Sequence, residues 1–320
     1  MTTIADVANA AGVSISTVSY VMSGKRTISQ ETKERVERAI AELRYSPHAS
    51  ARSLASRSTS VIGLQAPLRS GVDVHVVMEI VTGVVREARE HAYDILLLTG
   101  DDAGLTLAAR ASRVDALLVM DVESDDPRLA TLAQLEMPSV LIGLPSGAES
   151  VYCVDFDFEA AGRLAVERLV ALGHSRVALF GAPAEVLARH TSYADRLVRG
   201  FLTACEAHGV EGTVHPCPSN AEATAVVDEV LAADPEVTGI LFHNEGALPH
   251  VAARLVDGRD VIALCPADVA QSVSGLADSI DVPAEEIGVA ATRAVLALLS
   301  GETQSHVQLL PPKLNVATQV

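Results

Sequence analysis

Tryptophan is absent from this chain, and aromatic residues of all kinds supply only 3% of its 320 positions. A binding site that relies on stacked rings is therefore short of material. The four cysteines, Cys153, Cys205, Cys217 and Cys265, stand far apart and form no CxxC. Such spacing implies neither a disulfide framework nor a zinc framework, and reads as core or near-surface thiols of a reducing compartment. No apolar run approaches the roughly 18–20 residues of a membrane span. The segment Met1-Thr2-Thr3-Ile4-Ala5-Asp6 has no basic n-region and no long apolar stretch, so no secretory leader is expected. The expected location is the cytoplasm.

Catalytic signatures are missing as well. No GxSxG elbow occurs, Gly24-Lys25 lacks the upstream glycine of a phosphate loop, and no GxGxxG follows the first apolar strand. An enzyme on an α/β scaffold is thus disfavoured, because chemistry must come from a site and not from a fold. No HxxxH or HxH sets two histidines on one face, so no metal and no cofactor is assigned.

What the chain does have is apolar bulk and an uneven charge. Apolar residues reach 49% of the composition, enough for a large core, and 320 residues allow two or three compact units. The net charge is −17, yet residues 1–60 hold eight Lys/Arg against five Asp/Glu. All the remaining excess of acid lies beyond residue 60, and from Leu43 to Ser60 there are three arginines and no acid. A polyanion would be drawn to the head and repelled by the body.

The first sixty residues read as short helices. Thr3 can cap a helix carrying Ile4, Val7, Ala8 and Ala11 on one face, with Asp6 at the capping-box position. Gly12-Val13 turns the chain, Ser14 caps a second helix from Ile15 to about Met22, and Ser29 caps a third with Val36, Ala39, Ile40 and Leu43 inward. Pro47 opens a short helical segment, 48–55, and Ser56-Arg57-Ser58-Thr59-Ser60 reads as a linker. After Ser60, near-continuous apolar runs alternate with helices: Val61–Leu64, Ile95–Leu98, Ala116–Met120 and Val140–Ile142, then Val177–Phe180, Val214–Cys217, Gly239–Phe242 and Val261–Leu264. Runs of that kind suit parallel strands buried on both faces, and two sets imply two similar lobes. A cleft at the carboxyl ends of the strands is the natural pocket.

The segment Thr3-Ile4-Ala5-Asp6-Val7-Ala8-Asn9-Ala10-Ala11-Gly12-Val13-Ser14-Ile15-Ser16-Thr17-Val18-Ser19 resembles the head of the LacI/GalR (lac-repressor-like) family. Ser46-Pro47 through Arg52-Ser53-Leu54-Ala55 resembles that family's hinge, and the similarity runs on through Arg113–Leu118 and Leu169–His174, covering essentially the whole chain. The resemblance implies an α/β protein with an all-α helix-turn-helix head (1–45), a hinge and linker (46–60) and a two-lobed, periplasmic-binding-protein-like body (61–320) with two parallel sheets. The first lobe is expected at about 61–158 and 283–305, the second at about 159–282 and 306–320. It implies a homodimeric transcription regulator, most simply a repressor, that binds a near-palindromic double-stranded operator and senses a small molecule such as a sugar.

On this reading Ile15, Ser16 and Tyr20, with Arg26, face bases in the major groove. Ser14, Thr17, Ser19 and Ser23 are small hydroxyls that can meet phosphates. The hinge supplies Arg52, Leu54 and Ala55, with Leu54 as an apolar wedge in the minor groove. By the same resemblance the pocket draws on His75 in the loop after the first strand, Asp121, Asp157 (with Asp155 as rival), Arg196 (with Arg199 as rival), and Asn244-Glu245. His243, beside Asn244, is placed to line that pocket. The first loop lacks the family's Asn-Pro-Phe-Phe run, and Glu245 stands where an Asp is usual. Two other readings remain in view: a regulator without a metabolite, and a sugar-binding transport protein without a DNA partner.

Overall fold

The computed structural model describes residues 2–23, 26–45, 58–66, 74–98, 113–303 and 305–316. It divides into two compact units, Met1–Thr59 and Ser60–Val320.

In the first unit, α1 (Ile4–Ala11) begins at a complete capping box. The Thr3 hydroxyl accepts from the Asp6 amide, and the Asp6 carboxylate accepts from the Thr3 amide at 2.8 Å. Gly12 ends the helix at φ 64°, a left-handed cap that glycine adopts without a Cβ penalty. Three residues later α2 (Ile15–Ser23) starts, with the Ser14 hydroxyl accepting from the Thr17 amide at 3.1 Å. The Ser29 hydroxyl caps α3 (Gln30–Glu42) on the Thr32 amide. Val7, Ala8, Ala11, Val18, Val36, Ala39 and Tyr45 close a small core between the three helices. Residues 46–57, with Arg52, Leu54 and Ala55, lie outside the described residues.

The second unit alternates strand and helix. Its first part comprises β1 (Val61–Gln65), α4 (Val74–Glu90), β2 (Asp94–Leu98), β3 (Ala116–Val119), α5 (Leu129–Gln134), β4 (Ser139–Ile142) and β5 (Tyr152–Phe156). Then come α6 (Phe158–Ala171), β6 (Arg176–Gly181), α7 (Ala184–Ala188), α8 (Ser192–His208) and β7 (Glu211–Pro216). They are followed by α9 (Ala223–Ala233), β8 (Gly239–Phe242), α10 (Leu248–Leu255), β9 (Asp260–Cys265), α11 (Ala267–Gln271) and β10 (Asp278–Asp281). Last are α12 (Ala284–Leu299), β11 (Val307–Leu310) and β12 (Leu314–Val316). No described helix is long and apolar enough to cross a membrane.

Two six-stranded sheets result, ordered β11-β5-β4-β3-β1-β2 and β12-β10-β9-β8-β6-β7. Shifting the strand number by five maps most of the first sheet onto the second, so the two lobes repeat one topology. Every pairing is parallel except β10 with β12. All residues of β3, β4 and β8 are buried, as strands covered by helices on both faces require. The chain crosses between lobes at β5–α6, β10–α12 and β11–β12.

One expected boundary is corrected. The resemblance places residues 306–320 together in the second lobe, but Val307–Leu310 pairs in parallel with β5 of the first sheet. Only Leu314–Val316 joins the second, against β10. Pro311-Pro312 has no amide to continue a ladder, so it ends one strand and lets the chain change sheets.

Each lobe packs two long helices through facing glycines. Gly162 of α6 lies against the backbone of α8, where a Cβ would sit 2.6 Å from the Leu197 carbonyl oxygen. Gly200 of α8 lies against the Glu159 carbonyl at closer range still. In the first lobe Gly83 of α4 and Gly288 of α12 repeat the arrangement against Glu285 and Ile80.

Candidate functional site

Two places concentrate exposed or convergent side chains, one in each unit. In the first unit the inward face of α2 is Val18, fully buried. Ser16 and Tyr20 lie on the opposite face and are exposed, and Ile15, one turn before Val18, is 51% exposed at the start of the helix. An isoleucine half exposed at the first position of a capped helix is not among the residues that form the core of this unit. Ser14 is exposed, its hydroxyl within 2.8 Å of those of Ser16 and Thr17; Thr17 and Ser19 are half-buried. Ser23 is the last residue of α2. The Arg26 guanidinium stacks over the Tyr20 ring at 5.6 Å, which ties the residues after α2 to its reading face.

In the second unit an open cleft lies at the carboxyl ends of strands from both sheets. One wall is apolar: Val76, Val77 and Ile80 of α4 with Met120, Val122 and Ile142. Aromatic rings come from the other lobe, where Phe158, Tyr193 and His243 pack with centroids 5.4–5.8 Å apart. Aromatic residues are few in the composition, yet two of them, Phe158 and Tyr193, stand here beside the imidazole of His243.

Polar groups converge on the same space. Asp121, two residues beyond β3, has φ 53°, a left-handed backbone that an aspartate tolerates better than most residues. A buried guanidinium holds it there: Arg128 donates to the Asp121 carbonyl at 2.9 Å, to Gln65 Oε1 at 2.9 Å and to both Asp126 oxygens. The Asp121 carboxylate reaches across to Arg189, which donates to it at 2.9 and 3.2 Å. That carboxylate raises the guanidinium pKa further. Along the same seam the Ser192 amide donates to the Val122 carbonyl and the Ser124 amide to the His190 carbonyl, so the lobes are closed here. The Ser192 hydroxyl also donates to the Leu144 carbonyl.

Asp155 lines the cleft, whereas Asp157 caps α6 by accepting from the Ala160 amide at 3.0 Å. Arg196 is buried between them, donating to Asp155 at 2.7 Å and to Asp157 at 3.3 Å. Burial pushes the Asp155 carboxyl up to about 7, against the pull of that guanidinium. Asn244 is fixed by donating to the Cys217 carbonyl at 2.6 Å, and Glu245 stands beside it in the lining. Burial holds His243 down to about 4, hence neutral, and its Nδ1 has no partner among the described residues.

The structure thus brings Asp121, Asn244 and Glu245 together in the cleft, with His243 and Asp155. Asp157 and Arg196 stand behind that lining, and Arg199 pairs with Glu159 on the surface. His75 is corrected: it sits at the rim on α4, paired with Asp268, and is not part of the lining. Arg189, Ser192 and Tyr193 went unread in the sequence. They follow the first strand of the second sheet, at a carboxyl end, which is the one signal that marks them.

Residues 3–48 match the family described as "Bacterial regulatory proteins, lacI family", and residues 68–315 match "Periplasmic binding proteins and sugar binding domain of LacI family". Among curated relatives, the HTH-type transcriptional regulator MalR of Streptococcus pneumoniae serotype 4 is 36% identical over 63% of this chain, which spans 64% of that protein's length. The HTH-type transcriptional regulator CelR of Thermobifida fusca is 30% identical over 96% of this chain and 95% of its own. Among solved structures, a lac repressor dimer bound to operator and the anti-inducer ONPF superposes with a TM-score of 0.81 at 23% identity, covering 98% and 97% of the two chains.

Proposed function

Because this chain belongs to the LacI family of bacterial regulatory proteins, we propose that it is a sequence-specific DNA-binding transcriptional regulator, a cytoplasmic repressor whose operator affinity changes when a small sugar occupies the interlobe cleft. The observation that carries the DNA half is the exposure of Ile15, Ser16 and Tyr20 on a capped helix of a helix-turn-helix. A helix presented in this way enters the major groove with its N-terminal side chains on base edges, while Ser14, Thr17, Ser19, Ser23 and Arg26 meet phosphates or flanking bases. Arg52, Leu54 and Ala55 act in the hinge.

Selection from a random duplex pool should enrich a near-palindromic sequence. Tyr20→Ala should weaken that duplex by roughly 10- to 100-fold in a mobility-shift titration, as loss of one base contact does. A protein that enriches no sequence, or a Tyr20→Ala variant with unchanged selectivity, would end this reading.

A near-palindromic site calls for two copies. Val74, Met78 and Val85 on α4 and Leu97 on the edge strand β2 are 44–57% exposed, an apolar patch on the first lobe that suits a second copy of the chain. Met78→Asp should move the protein from dimer to monomer in sedimentation velocity. If it stays dimeric, the interface lies elsewhere.

The cleft pairs apolar and aromatic walls with Asp121, Arg189, Asn244, Glu245 and the neutral His243, a mixture suited to a neutral polyhydroxylated ligand. Asp155, Asp157 and Arg196 shape its floor. A panel of mono- and oligosaccharides should include one that raises the melting temperature, since a ligand bound to the native state stabilises it. Arg189→Ala should abolish that rise while leaving sugar-free operator affinity within about twofold, because binding of DNA without effector does not need the pocket. If no sugar shifts the wild type, the regulator without a metabolite becomes the better reading.

A further inference from the structure

Three side chains of metal-ligand type, drawn from both lobes, meet at the rim of the cleft. His75 and Glu79 are four residues apart on α4 and so share one helical face. Asp268, on α11 of the other lobe, approaches them from across the opening. His75 Nε2 lies 3.0 Å from Asp268 Oδ2 and 3.9 Å from Glu79 Oε1, and the three ligand atoms are all within 4.8 Å of one another.

We propose that His75, Glu79 and Asp268 bind a divalent transition-metal ion of the zinc class, and that the ion bridges the two lobes. Bonds of about 2.0–2.2 Å to a tetrahedral ion place its ligand atoms roughly 3.3 Å apart, and the two observed separations straddle that distance. One imidazole with two carboxylates suits zinc, nickel or cobalt better than the all-oxygen shells of calcium and magnesium. The surroundings favour a cation too: Asp281 adds its negative charge to that of Asp268 around Glu79, while Glu285, also nearby, is paired with Arg86.

The same helix carries an internal contrast. Glu87 and His91 have the equivalent spacing, with 3.5 Å between Nε2 and Oε1, but the third group there is the Arg293 guanidinium, at 2.9 Å from the same oxygen. A cation already occupies that pair. At His75–Glu79 the third group is a carboxylate, so among the described residues it is there that three donors of metal-ligand type meet.

Because the ligands belong to different lobes, the ion would stabilise the conformation in which they meet, and it would couple to anything else that closes the cleft. That consequence rests on the effector reading; metal binding itself does not. The test is a titration of the full-length protein with zinc alone, without sugar or DNA. The wild type should take up one ion per chain with a dissociation constant of about 10 µM or lower, an affinity a three-ligand site can reach. His75→Ala and Asp268→Asn should each weaken uptake at least tenfold, and His91→Ala should leave it unchanged. No uptake by the wild type at 100-fold that concentration would overturn the proposal. Wild-type affinity in Asp268→Asn would do so as well, by showing that any zinc bound sits within one lobe or elsewhere. Failure of every sugar to bind would leave the zinc result standing, and the reverse also holds.

Discussion

Replacing Arg196 with methionine should cost the body about 3–5 kcal/mol, the range for removing one member of a buried ion pair. The guanidinium is buried and bonds to two carboxylates, Asp155 at 2.7 Å and Asp157 at 3.3 Å. Methionine fills much of the volume but leaves Asp155 buried without its counter-charge. The pH dependence distinguishes this cause from lost packing. Asp155 already titrates near 7 in the fold, well above its ordinary carboxylate value, because burial disfavours the ion. Without Arg196 its folded-state pKa rises further. A carboxyl whose folded pKa exceeds its unfolded one carries no penalty at acid pH and a growing penalty as pH rises through that interval. Because the wild-type carboxyl is itself mostly neutral below about 7, the variant's deficit against the wild type should stay level from pH 4 to pH 6 and widen above pH 7 in urea denaturation. Adding Asp155→Asn should restore part of the loss at pH 8. A deficit independent of pH, or smaller than about 1 kcal/mol, would show that the pair is not held as described.

Gly200→Ala should lower the stability of the body by about 3 kcal/mol, at the upper end of overpacking costs because the obstacle is backbone and not a side chain that can turn aside. A methyl group there would meet the Glu159 carbonyl oxygen of α6, and the two helices could admit it only by separating. For a unit of this size the loss corresponds to a fall of roughly 6–12 °C in melting temperature. Gly181→Ala is the matched control. Its Cβ would lie 3.8 Å from Leu179 Cγ, ordinary contact, and the melting temperature should hardly move. Equal effects of the two substitutions would remove close helix approach from the account.

Arg196 and Arg189 show where sequence reading runs out. Resemblance singles out an arginine shortly before Gly200-Phe201, and Arg196 is there, with its guanidinium bonded to Asp155 and Asp157. The arginine that lines the cleft, Arg189, follows a five-residue helix and bears no local mark; its partner Asp121 is 68 residues earlier. The aromatic supply was similarly misleading as a bulk count, since three rings from separate segments were enough to furnish one wall. Among strands, the long apolar runs were legible, while β5, β10 with its Asp-Ser-Ile-Asp sequence, and the short β11 and β12 were not. Their place in a sheet depends on neighbours that no local pattern discloses.

Short-range physics is written directly in the chain. A hydroxyl or carboxylate three residues from an amide caps a helix whatever surrounds it, so Thr3, Asp6, Ser14 and Ser29 announced the head, and uninterrupted apolar runs announced parallel strands covered on both sides. Tertiary structure alone decided which lobe β11 would join, which glycines would face a neighbouring backbone, and which charges would meet across the cleft. Those outcomes depend on groups tens to hundreds of residues apart being brought within about 3 Å of each other, a distance set by the packing of two sheets and not by any spacing along the chain.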